Sequence, residues 1–240
     1  TVRPMASVRK AALAFIFVTV ALDVLALGMV IPVLPKLIVR FLGGDTAKAA
    51  LVVGIFVSVF ELMQFLFSPV IGVLSDRFGR RPVVLLSNLG LGLDYLFMAV
   101  APSLGLLFVG RLISGITSAS FATAFAYIAD VTPPEKRSAG FGFLGAAFGL
   151  GFIVGPALGG VLAKVDPSLP FWAAAVLSLT NAVYGFFILP ESLAPEHRMR
   201  FQWKRANPVG SFMLLRSHPT LLRFASCAFA INLGHFALQS

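Results

Sequence analysis

The chain has 240 residues, 58% of them apolar and only 12% charged, a charged share about half that of a soluble domain. A soluble globular domain and a disordered chain are both excluded, since each needs more polar residues. The single cysteine, Cys227, excludes a disulfide framework, and apolar runs that are continuous rather than alternating argue against a membrane β-barrel.

A helix needs ~20 mostly apolar residues to cross ~30 Å of hydrocarbon. The first such run is Ala11–Pro35. Arg9 and Lys10 precede it, but it is too long for a signal peptide and lacks a small-x-small cleavage site. It closes on Pro32 and Pro35, a rigid exit from the membrane. Five further runs follow at Ala50–Leu74, Val83–Val100, Leu104–Ala129, Ala139–Ala163 and Pro170–Leu189, then a seventh at Leu221–Leu238. The polar stretch Pro190–Pro219 is rich in charges and prolines and reads as a linker, within which Phe212–Leu215 is expected to form a short helix on the membrane surface. The expected organisation is an all-α membrane protein with a six-helix bundle over 1–189, a linker over 190–219 and a further helix over 220–240.

The charge of +9 is explained by where the cations lie. Arg3, Arg9 and Lys10 precede the first run, Arg77, Arg80 and Arg81 follow the second, and Lys136 and Arg137 follow the fourth. Arg198, Arg200, Lys204, Arg205, Arg216 and Arg223 follow the sixth. All these positions fall on one side of the membrane; Lys36, Arg40, Lys48 and Lys164 fall on the other. The positive-inside rule then puts the N-terminus and the linker in the cytoplasm, and nucleic-acid binding has no support.

Asp23, Glu61, Asp94 and Arg111 lie inside spans. An ionisable group at the bilayer centre costs ~2.5–3.5 kcal/mol on insertion scales and is a functional candidate by default. At 1.5 Å per residue, Asp23, Glu61 and Asp94 lie about 16–18 Å deep, and Arg111 about 10 Å before its side chain reaches inward. All four can meet near the midplane, where secondary transporters hold substrate and coupling ions. Ser58, Glu61, Gln64 and Ser68 form one stripe of the second span, and Arg111, Ser114 and Ser118 one of the fourth, as expected for a lined cavity. The alternative is a buried ion pair that only fixes helix packing, with Asp94 or Glu61 partnering Arg111.

The link Gly72–Pro82 forces an antiparallel hairpin. Gly72 is expected to allow close packing, Gly79 to permit the turn and Pro82 to start the next helix. Asp76 sits among Arg77, Arg80 and Arg81. The fifth span carries Gly151, Gly155, Pro156, Gly159 and Gly160; small residues four apart let another helix approach closely, and Pro156 is expected to kink the span.

Together these stretches resemble the major facilitator superfamily. Gly72–Pro82 resembles its motif between helices 2 and 3, Gly151–Gly160 the helix-5 motif of its drug/proton antiporters, and Pro32–Pro35 the helix-1 motif of the 12-helix branch. Arg111 and Gly115 match the helix-4 motif. The segments around Asp23, Gln64, Leu93, Asp94, Tyr95, Gly110, Arg111 and Leu112 look most like the tetracycline/proton antiporters. The resemblance implies a fold of two six-helix bundles rocking around a central cavity, of which this chain holds one and the first helix of the second. The missing C-terminal half, or a second copy, is then an expected partner.

The resemblance also implies proton-coupled export of a small amphiphilic drug, and hence antibiotic resistance, with protons as coupling ion and no cofactor. Coupling is assigned to Asp23, Asp94 and Arg111 and a substrate cavity to Ser58, Glu61, Gln64, Ser114 and Ser118. A conformational latch is assigned to Gly72, Asp76, Arg77, Gly79, Arg80, Arg81 and Asp130. By resemblance Arg80 pairs with Asp130, and Asp76, without a second bundle to meet, leans on Arg77, Arg80 or the loop backbone. The implied location is the inner (plasma) membrane. Exchange of another metabolite, and an inactive half acting only in assembly, are the competing readings. His197, His218 and His235 lack metal-ligand spacing, and there is no phosphate loop and no nucleophile constellation, so neither an enzyme nor a metal site is expected.

Overall fold

A computed structural model describes residues 5–118, 121–203 and 205–237. The described residues are helical, in the order α1 (Met5–Val30), α2 (Val33–Phe41), α3 (Thr46–Phe78), α4 (Arg80–Ala99), α5 (Leu104–Ser118), α6 (Phe121–Val131), α7 (Arg137–Val165), α8 (Leu169–Ile188), α9 (Pro208–Arg216) and α10 (Pro219–Ala237). Among them six segments are long and apolar enough to cross a membrane: Leu13–Phe41, Thr46–Phe78, Arg80–Ala99, Leu104–Val131, Pro134–Val165 and Leu169–Ile188. This is an all-α, multi-pass membrane protein whose six spans form one bundle. The seventh expected run is helical as α10, but Arg223, Asn232 and His235 dilute its apolar character and it is not among the six.

The first span departs from expectation. Pro32 turns the chain without ending the crossing; α2 resumes at once, because a proline at a helix start needs no intrahelical N–H. Lys36 and Arg40 are therefore helical residues rather than loop residues. Beyond them Gly43 and Gly44 take positive φ, and Asp45 caps α3. The Asp45 carboxylate accepts the Lys48 backbone N–H at 3.0 Å and pairs with the Lys48 ammonium at 3.0 Å. These bonds hold the Asp45 carboxyl below the usual carboxylate range. The cap is complete above the ordinary aspartate pKa and is lost as pH falls through the depressed value.

α1 packs along α7 and α8, α4 along α8 and α5, and α3 along α5. The α1–α7 seam is the closest approach. A Cβ on Gly155 would lie 2.7 Å from the Gly28 Cα, and one on Gly159 would lie 2.2 Å from the Met29 carbonyl oxygen. Close backbone contact is what lets helices associate in lipid, where burial of apolar surface supplies no drive. Gly160 and Gly72 take no part: nothing described lies within 4 Å of a Cβ at either. The expected packing role of Gly72 is thus not met within this bundle. α7 also continues as one helix through Pro156.

Candidate functional site

Two buried polar groups lie inside the bundle. The first joins α1, α4 and α8. Asn181 on α8 donates its amide N–H to Asp23 Oδ1 at 2.8 Å and to the Thr19 carbonyl at 2.8 Å. Asn88 on α4 completes it when its amide is oriented to satisfy both ends: its nitrogen donates to Asp23 Oδ2 at 2.8 Å and its oxygen accepts from Asn181 at 3.0 Å. Asn88 and Asn181 are fully buried and Asp23 is 5% exposed. The Asp23 carboxylate is held by two neutral amides, with no cation within 4.0 Å among the described residues.

The second group joins α3, α4 and α5. The Ser114 hydroxyl donates to Asp94 Oδ2. Arg111 sits with its guanidinium carbon 4.2 Å from the centre of the Phe60 ring, a stabilising cation–π placement for a desolvated arginine. Arg111 is within electrostatic range of Asp94, Tyr95 and Glu61 but makes no ion pair among the described residues. Asp94 Oδ1 and Arg111 Nε are buried with no hydrogen-bond partner among the described residues. An ion pair between Asp23 and Arg111 is therefore not formed: α1 faces α7 and α8, whereas α5 faces α3 and α4.

The residues assigned to a cavity divide between two places. Ser114 and Ser118 are buried on α5. Ser58 and Glu61 are exposed on the open face of α3. Glu61, Gln64, Phe65, Ser68 and Pro69 line a cleft of about 620 Å³ there, closed on its other side by Pro208, Phe212 and Leu215. The short helix expected near Phe212 exists as α9, and it lies against α3.

At the opposite end from Gly43, α3 and α4 are joined by Gly79 alone, at φ 107°. Arg80 gathers the corner: its guanidinium meets Asp76 at 2.5 Å, Asp130 at 3.1 Å and the Ser75 hydroxyl at 2.7 Å. Arg81 donates to the Phe186 carbonyl near the end of α8. The Asp76 backbone carbonyl accepts from the Met199 N–H at 2.9 Å. Arg77 instead lies over the Phe78 ring, 5.0 Å from its centre.

Sequence reading missed Glu191, which organises this corner. Its Oε1 accepts the backbone N–H groups of Arg80, Ser192 and Leu193 at 2.9–3.0 Å. It thereby caps the start of α4, where Gly79 offers no side chain. A Cβ at Gly79 would fall 2.2 Å from Glu191 Oε2, so glycine serves both the φ and the approach. Ser192 adds a hydroxyl bond to Asp130 at 3.2 Å, and Tyr127 donates to the Pro190 carbonyl at 2.9 Å. Losing a helix cap costs ~1 kcal/mol, so Glu191→Ala is expected to lower the unfolding temperature in detergent while Glu196→Ala, at an exposed position, leaves it in place. Equal melting of the two variants would remove Glu191 from the cap.

Six helices long and apolar enough to cross a membrane, with two carboxylates and an arginine buried among them, are the frame of a multi-pass membrane protein. The Major Facilitator Superfamily profile matches residues 16–240, and the chain belongs to that family. It is 43% identical over 222 residues to the tetracycline resistance protein, class C, of Escherichia coli, covering 92% of this chain and 55% of that protein. It is 32% identical to multidrug resistance protein 2 of Bacillus subtilis, covering 90% of this chain and 53% of that one. Among solved structures, the human organic anion transporter MFSD10 superposes with a TM-score of 0.70 at 28% identity, over 79% of this chain and 50% of that one. The chain spans about half the length of the curated relatives it matches.

Proposed function

We propose that this bundle is half of a proton-coupled exporter of a small amphiphilic, tetracycline-like drug. The observation that carries the reading is the 43% identity to a tetracycline resistance protein across 92% of this chain. The buried groups supply the chemistry. Asp23, held only by amide N–H donors, becomes a donor itself on taking a proton and must then re-partner Asn88 or Asn181. Asp94 Oδ1 and Arg111 Nε find no hydrogen-bond partner among the described residues, and buried polar atoms of that kind are candidates for contact with a ligand. The cavity role rests on Ser114 and Ser118 within the bundle and on Glu61 and Gln64 along the cleft, with Ser58 beside them. The corner built on Asp76, Gly79, Arg80, Arg81 and Asp130, with Arg77 and Gly72 flanking it, acts as the latch between alternate states.

Alternating access needs two faces. The transport unit contains this bundle and a second six-helix bundle, from a longer chain or a second copy, and the half-length match to relatives supports that reading. The test is drug flux into proteoliposomes. With the second bundle present, a pH gradient is expected to drive uphill drug movement; downhill movement indifferent to the gradient would leave a facilitator instead.

The excess of Lys and Arg at the Gly79 end supports a plasma-membrane carrier with a cytoplasmic N-terminus. In a Cys227→Ala background, external maleimide is expected to label Ser168→Cys and spare Ser217→Cys. The opposite pattern would invert the topology.

A further inference from the structure

The segment after α8 lines a second cleft, to which the latch contributes only Arg77. Arg198, Met199, Arg200 and Phe201 run past the Gly79 end of the bundle, and with Arg77 they line a cleft of about 430 Å³. The segment is fastened by the bond from the Met199 N–H to the Asp76 carbonyl at 2.9 Å. Three arginines thus line one cleft. Among the described residues none of the three has a carboxylate within 4.0 Å, since Asp76 and Asp130 both pair with Arg80.

Arg198 Nη2 and Glu191 Oε2 both lie beside Gly79, so one carboxylate stands near the three cations; positive charge stays in excess, and an excess of like charge favours an anion between them. The guanidinium fork matches a phosphate best, because it offers parallel N–H donors to two oxygens. Depth and surroundings choose the source of that phosphate. Arg77 stands in the last turn of a membrane-spanning helix, which is headgroup level. The cleft is flanked by apolar side chains left in the open: Phe78 and Met199 are each 52% exposed and Trp203 75% exposed. Trp203 is also set edge-on to Phe201, with ring centres 4.9 Å apart. Cations bordered by exposed aromatics are the composition of a membrane interface, and a ligand that satisfies both must be anionic at one end and apolar at the other.

We propose that this cleft holds the headgroup phosphate of an anionic phospholipid, with the acyl chains lying along Phe78, Met199 and Trp203. The proposal rests on the membrane-spanning arrangement and not on the transport reading.

Native mass spectrometry of the full chain, titrated with phosphatidylglycerol or with phosphatidylcholine, tests it. Phosphatidylglycerol is expected to be retained in preference to phosphatidylcholine. An arginine near an anionic surface is worth about 5-fold in affinity, so Arg198→Gln with Arg200→Gln should weaken phosphatidylglycerol binding about 30-fold. Arg198→Lys with Arg200→Lys should bind between the parent and the glutamine pair, since charge survives and the fork does not, and millimolar inorganic phosphate should not displace the lipid. Unchanged affinity in the glutamine pair or equal retention of phosphatidylcholine would each overturn the proposal. Displacement by inorganic phosphate would overturn the lipid as source.

Discussion

Asp23→Asn, in a carrier that contains this bundle and its second half, is expected to abolish pH-driven drug accumulation while drug binding persists. The substitution is nearly isosteric and leaves the site buried among Asn88, Asn181 and Thr19. It removes the one group there that can exchange a proton. A positioned acid–base group contributes about 100-fold or more to a proton-transfer step, so the initial rate of gradient-driven uptake should fall by about that factor and accumulation should fall to the uncoupled background. The measurement is drug flux in proteoliposomes with and without an imposed gradient, beside equilibrium binding of the same drug. Normal gradient-driven flux in the variant would exclude Asp23 from coupling. Asn181→Leu offers a second reading of the same triad: it keeps the carboxylate but takes away a donor, and should move the pH dependence of flux rather than end it.

The second large effect is expected at the α1–α7 seam. Gly159→Ala places a methyl 2.2 Å from the Met29 carbonyl oxygen and 2.9 Å from the Met29 Cα. Those are backbone atoms of a neighbouring helix and cannot step aside as a side-chain tip would. Overpacking of this kind costs ~1–3 kcal/mol and more where the backbone must move, so the loss should reach the upper end of that range. Gly160→Ala is the internal control. Its Cβ meets nothing within 4 Å, and alanine is the better helix former by ~1 kcal/mol. Thermal unfolding in detergent should rank Gly160→Ala at or above the parent and Gly159→Ala well below. The reverse order would refute the seam.

The same pair of glycines marks how far the sequence could be read. The spacing from Gly151 to Gly160 announces a small-residue face, but four-residue periodicity cannot say that Gly160 falls beside that face and not within it. The spans were legible because lipid demands long apolar runs, and the Gly79 turn because only glycine suits that backbone. Intramembrane charges at Asp23, Asp94 and Arg111 stand out on cost alone. Their partners do not. Asn88, Asn181 and Phe60 carry no charge and lie far along the chain from the groups they hold. Ser178 and Asn181, three residues apart on α8, were the one available signal, a polar stripe in the sixth span. Glu191 hid in a linker whose composition suggests solvent, although its carboxylate serves a helix start 111 residues earlier. Depth alone allows Asp23 and Arg111 to meet, and they do not, because depth fixes height in the membrane and leaves azimuth open.

The lone residue between α3 and α4 has a mechanical meaning. A hinge of one glycine would ordinarily let a 20-residue helix swing its far end through a wide arc, since its lever arm is about 30 Å. Here the hinge is pinned from three directions: by Glu191 on the amide of Arg80, by Asp130 of α6 on the Arg80 guanidinium, and by the end of α8 on Arg81. The freedom of the turn is spent before any load arrives. Any tilt of these helices would therefore move the corner as one stiff unit spanning four helices, with little of it absorbed in a compliant loop.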